Sequence, residues 1–250
     1  MTEPASNPAP KPRSELQLVQ LLPNLLTISA MCSGLTGVRF AVAGHFQIAV
    51  GLILLAAVLD GLDGRLARLL RSESQMGAEL DSLVDFVNFG VAPGMVMFLW
   101  GLHDLQSAGW IATLIYASCC LLRLARFNLG NRVADKPASH FTGVPAPAGA
   151  MLAMLPMYVA FMRPDWPVLP APLIAIYMVL IGGLMISRIK TPSFKSATVY
   201  AEHVRFVFVG FVALIAALLS YTWATMVVID TGYALIVLWS VLRRRPARRG

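Results

Sequence analysis

Asp60-Gly61-Leu62-Asp63-Gly64-Arg65-Leu66-Ala67-Arg68, followed by Gly77, Asp81 and Asp85, is the stretch on which the reading of this chain turns. It lies where one apolar run of membrane-helix length ends and the next begins. Ionised groups are costly beside hydrocarbon, so carboxylates gathered there point to a functional site. At about 100° per residue of α-helix, Asp60, Asp63, Gly64, Ala67 and Arg68 fall within roughly 140° of one face. Gly77, Asp81 and Asp85, each four apart, form a stripe about 80° wide on the next helix. Two facing helices would thus aim four carboxylates at one small volume. Like charges that close repel unless something positive lies between them, and a pair of divalent cations is the natural answer. Hard oxygen donors with no Cys or His nearby favour Mg2+ or Mn2+ over Zn2+. Gly64, Ala67 and Gly77 remove bulk on the same faces and leave room for a planar or phosphorylated ligand. Arg68 adds a fork of donors suited to phosphate.

Outward from this stretch the chain is apolar. Of its 250 residues 57% are hydrophobic and 13% charged, and the mean hydropathy is +0.69. Soluble domains carry nearly twice that charged fraction. The composition predicts an all-α, polytopic membrane bundle in one body, residues 15–242, between a disordered tail at 1–14 and a basic tail at 243–250. Eight spans are expected: 24–43, 46–70, 77–102, 109–129, 144–162, 170–187, and two from the long run 204–242, which should break near 220–223. Without that break there are seven. An apolar lead-in at 16–22 suits the membrane interface.

The formal charge of +7 does not indicate nucleic acid, because Lys and Arg cluster at helix ends. With the N-terminus inside, the cytoplasmic loops hold Arg65, Arg68, Arg71, Arg123, Arg126, Arg132, Lys136, Arg188, Lys190, Lys195, Arg205 and the terminal arginines, against Arg39 and Arg163 outside. Both termini and the aspartates therefore belong on the cytoplasmic face of the cell membrane. Cys32, Cys119 and Cys120 lie inside apolar runs and read as packing residues, not a disulfide framework. No two histidines pair at ligand spacing; His140 and His203 fall on the polar-site side, His45 and His103 opposite.

The pattern D-x2-D-G-x2-A-R-x8-G-x3-D-x3-D, from Asp60 to Asp85, matches the signature of the CDP-alcohol phosphatidyltransferase family at every position, and the chain is identified by it as a resembling member. The resemblance implies transfer of a phosphatidyl group from CDP-diacylglycerol to an alcohol, with CMP leaving. It implies that Asp60, Asp63, Asp81 and Asp85 hold two metal ions, that Asp85 also serves as the base, and that Gly64, Ala67, Arg68 and Gly77 form the CDP pocket. It further implies a homodimer. Asn24 and Thr27, at the start of the first span, either donate to the nucleotide or cap the helix.

Three further segments resemble the serine-accepting, integral-membrane branch of the family: Arg123-Leu124-Ala125-Arg126-Phe127-Asn128, Phe141-Thr142-Gly143-Val144-Pro145-Ala146-Pro147, and Ser187 to Lys195. This implies L-serine as acceptor. Arg123 and Arg126, three apart, share a face and suit a carboxylate or phosphate, or else anchor and cap the helix end. Asn128 caps that end or contacts substrate, and Lys190 attracts the diphosphate or only fixes topology. Glycerol 3-phosphate, an inositol compound or choline are rival acceptors, since the arginines fit a phosphorylated one equally. A divalent-cation transporter would instead spread acidic residues near mid-membrane over several helices, whereas these sit at one level on two. The last two spans carry no motif.

Overall fold

The computed structural model describes residues 21–133, 141–187, 190–191 and 204–242. The predicted tails, most of the lead-in at 16–22, and Lys136, His140, Arg188, Lys195 and His203 lie outside the described residues. Eight helical segments follow one another: α1 (Leu22–Val42), α2 (Phe46–Leu69), α3 (Gln75–Leu105), α4 (Ser107–Val133), α5 (Ala146–Met162), α6 (Ala171–Ile186), α7 (Val204–Ser220) and α8 (Thr222–Leu242). The predicted break in the last apolar run falls at Tyr221, inside the expected window. The all-helical expectation is amended only by a two-residue ribbon in which β1 (Phe141–Thr142) pairs antiparallel with β2 (Lys190–Thr191).

Local chemistry sets the boundaries. Pro23 opens α1, where a missing N–H costs nothing. Pro147 and Pro172 do the same for α5 and α6. Arg71 turns the chain with φ 49° after α2. Ser74 then caps α3, its Oγ accepting from the Gly77 N–H at 2.9 Å. Gly143 has φ +85°, and a Cβ there would lie 2.6 Å from the Met185 carbonyl, so this bend before α5 requires glycine. Pro93 lies within α3, where its ring crowds the carbonyl four residues back. The ladder widens just there into a π turn over Val87–Val91.

Helix α3 is the centre of the bundle. It touches α1, α2, α4, α5 and α6. Half of its apolar window is buried, against 17–33% for the other four helices long enough to cross a membrane: α1, α2, the Ser107–Leu129 part of α4, and α8. The remaining apolar helices, Ala146–Met162, Ala171–Ile186 and Phe208–Ser220, are shorter. At 1.5 Å per residue, 17 residues reach about 25 Å, less than the ~30 Å of a bilayer core. Around α3, α1 lies along α2, α4 along α6, and α5 along α8. Tyr116, Phe89, Met97, Met154, Met157 and Tyr158 fill the interior.

Candidate active site

The short α2–α3 connection returns the chain so that the end of α2 faces the start of α3. Asp60, Asp63 and Asp81 each present a carboxylate oxygen within 4.8 Å of the other two. Asp85, one turn beyond Asp81, adjoins Asp60 side chain to side chain. Asp63 is 3% exposed. One oxygen each of Asp60, Asp63 and Asp85 is buried with no hydrogen-bond donor. Buried carboxylate oxygens left without donors are expensive. The donor set is therefore the one a hard divalent cation completes, and the expected Mg2+ or Mn2+ fits it.

Helix α1 closes the other side. The Thr27 hydroxyl lies 2.5 Å from Asp63 Oδ2 and 3.0 Å from the Pro23 carbonyl oxygen. It fixes the Asp63 carboxylate while Oδ1 stays bare. A cavity of about 370 Å3 opens here, lined by Asn24, Thr27, Asp63, Gly64, Ala67, Gly77 and Asp81, with Ser72, Glu73 and Ser74 at the α2–α3 turn. The two glycines do different things. A Cβ on Gly77 would come 3.1 Å from Asn24 Oδ1, so Gly77 lets α3 approach α1. A Cβ on Gly64 would meet nothing within 4 Å, so the space it leaves is not filled by protein. Arg68 is exposed and folds back along α2, its Nε donating to the Gly64 carbonyl at 3.0 Å, outside the cavity lining.

The arginine pair at the end of α4 divides. Arg126 Nη1 donates to the Ile186 carbonyl at 2.8 Å, which ties α4 to the end of α6. Asn128 Nδ2 donates to Ser82 Oγ at 2.9 Å, tying α4 to α3 beside Asp81. Arg123 instead turns inward, its Nε buried without a partner and its charge facing Asp85. Lys190 stands in β2 opposite Thr142. Sequence reasoning did not single out Asn88, which extends the Asp81–Asp85 stripe by three residues and is wholly buried with both amide atoms unpartnered. A Cβ on Gly34 would collide with its Oδ1. The spacing alone was enough to find it. Ser82 gave no such signal.

A membrane-embedded helical body with an acidic cluster beside an open, glycine-walled cavity is the setting of phosphatidyl-transferring enzymes. The CDP-alcohol phosphatidyltransferase family model matches residues 20–189, and the chain belongs to that family. It is 41% identical over 213 residues to the CDP-diacylglycerol–serine O-phosphatidyltransferase of Mycobacterium leprae (strain TN), covering 83% of this chain and 70% of that protein. The protein of the same name from Mycobacterium tuberculosis (strain ATCC 25618 / H37Rv) is 43% identical over 162 residues, 62% of this chain and 56% of the relative. That from Bacillus subtilis (strain 168) is 33% identical over 174 residues, 70% of this chain and 91% of the relative.

Proposed function

We propose that this chain transfers the phosphatidyl group of CDP-diacylglycerol to L-serine, giving phosphatidylserine and CMP. The observation that carries the reading is the acidic cluster opening directly onto the Gly64-walled cavity: a cation site beside a space shaped by missing side chains. The choice of serine is supported by the names of the relatives and by Arg123, which brings an inward cation to the Asp85 side of the cluster.

Asp60, Asp63, Asp81 and Asp85 would hold Mg2+ or Mn2+, which when bound neutralises the diphosphate and the charge developing on departing CMP. The protein's own part is binding, orientation and proton transfer. Gly64, Ala67, Gly77, Asn24 and Thr27 line the space for the CDP moiety, with Arg68 at its outer edge. The serine hydroxyl oxygen bonds to the phosphorus bearing diacylglycerol, the bond from that phosphorus to the bridging oxygen breaks, and CMP leaves. Asp85 takes the hydroxyl proton, its Oδ1 being free to do so. Lys190, at the polar end, supplies positive charge toward the diphosphate.

The same reading places all eight helices across the cell membrane, in one domain over 15–242. The cluster then faces the cytoplasm, as the lysine and arginine distribution favours. It takes the homodimer from the family resemblance. The test incubates purified protein with CDP-diacylglycerol, Mg2+ or Mn2+, and each labelled acceptor in turn, and repeats the productive reaction with chelator. Serine-dependent phosphatidylserine that chelation abolishes supports the reading. Product with glycerol 3-phosphate and none with serine overturns the acceptor assignment.

A further inference from the structure

Beyond the nucleotide cavity, three helices each bring a buried polar atom without a hydrogen-bond partner toward one place: Asp85 Oδ1 from α3, Arg123 Nε from α4 and the Tyr233 hydroxyl from α8. Arg123 interacts electrostatically with both Asp85 and Tyr233, so the three side chains face one another across the guanidinium. Other tyrosines of the bundle spend their hydroxyls on the backbone. Tyr116 donates to the Phe89 carbonyl at 2.7 Å and Tyr177 to the Leu152 carbonyl at 2.6 Å. Tyr233 does not, although its hydroxyl is equally shut away from solvent. Buried polar groups normally find partners, and a bare one carries a desolvation cost. A bare guanidinium prong, a bare phenol and a bare carboxylate together mark a place for a ligand with complementary groups. One prong is Nε, the edge from which arginine makes side-on paired bonds to a carboxylate.

We infer that Tyr233 completes the acceptor site, donating its hydroxyl hydrogen to the acceptor's carboxylate beside the Arg123 fork, with Asp85 on the hydroxyl side. This deepens the serine reading above and rests on it. It gives α8, which carries no motif, a recognition role, and it divides labour: α1–α3 receive the nucleotide, while α4 and α8 read the acceptor.

The experiment uses the purified full chain with CDP-diacylglycerol and Mg2+, measuring CMP release against L-serine and against serinol, which lacks the carboxylate. Tyr233→Phe keeps the ring and removes the donor. It should raise the serine KM about tenfold, leave the CDP-diacylglycerol KM unchanged, and shrink the preference for serine over serinol by a similar factor. Tyr158→Phe removes another buried, unpartnered phenol hydroxyl, on α5, and should leave the serine KM within about twofold. An unchanged serine KM in Tyr233→Phe overturns the inference. So does an equal rise in Tyr158→Phe, which would mean general loosening. If the wild-type chain uses another acceptor, the serine reading falls alone, and Tyr233 is judged on that acceptor: a raised KM upholds its role, an unchanged one ends it. No acceptor-dependent CMP release at all overturns both.

Discussion

The two walls of the site are built in opposite ways. The nucleotide wall comes from α1, α2 and α3, which follow one another and join through short turns, so residues from Pro23 to Asp85 enclose the cavity. The acceptor wall is gathered from α3, α4, α6 and α8, far apart in sequence, through single contacts such as Arg126 to Ile186 and Asn128 to Ser82. A wall made of neighbours writes itself into local spacing. One made of distant helices does not.

The strongest test of the first wall is charge. Asp63→Asn or Asp81→Asn should lower turnover by roughly a thousandfold. CMP release would be measured on protein shown monodisperse in detergent, and a variant keeping a tenth of its activity would remove the cluster from the chemistry. Next comes space. Gly64→Leu puts a side chain where nothing lies within 4 Å. The fold should accept it, since glycine inside a helix costs about 0.5–1 kcal/mol relative to alanine. The CDP-diacylglycerol KM should nonetheless rise roughly ten- to a hundredfold. A fallen melting temperature with an unchanged KM would show that the gap serves packing instead.

Smaller effects separate the walls further. Thr27→Val removes the bond to Asp63 Oδ2 and leaves a second oxygen of that carboxylate bare, which should cost about tenfold in kcat/KM. Arg126→Ala releases α4 from the Ile186 carbonyl. It should lower the melting temperature while shifting the serine KM by less than about threefold. The least effect is expected from Ser82→Ala with Asn128→Ala, whose double-mutant cycle should give a coupling of about 0.5–1.5 kcal/mol in stability and almost none in activity.

What could be read from the chain follows the same division. The boundaries of α1 to α3, the break at Tyr221 and the meeting of Asp60, Asp63 and Asp81 all follow from periodicity and span length. Asn88 was equally accessible, because it sits at the next helical step after Asp85. Arg123 and Arg126 show where spacing stops being enough. Three residues apart, they share a face by counting, yet one is held by a carbonyl of α6 and the other turns inward toward Asp85 and Tyr233. Which neighbour each meets depends on helices that a local pattern cannot see. The short ribbon between Phe141–Thr142 and Lys190–Thr191 escaped for the same reason: two residues at each end of a long separation carry no alternation to detect.

The Thr27 bond to Asp63 bears on transplantation. Because that carboxylate is oriented by a hydroxyl outside the signature, moving the Asp60 to Asp85 hairpin into an unrelated bundle would carry the ligands without the strut that aims one of them. A working graft would have to bring the opening turn of α1, from Pro23 to Thr27, as part of the same cassette.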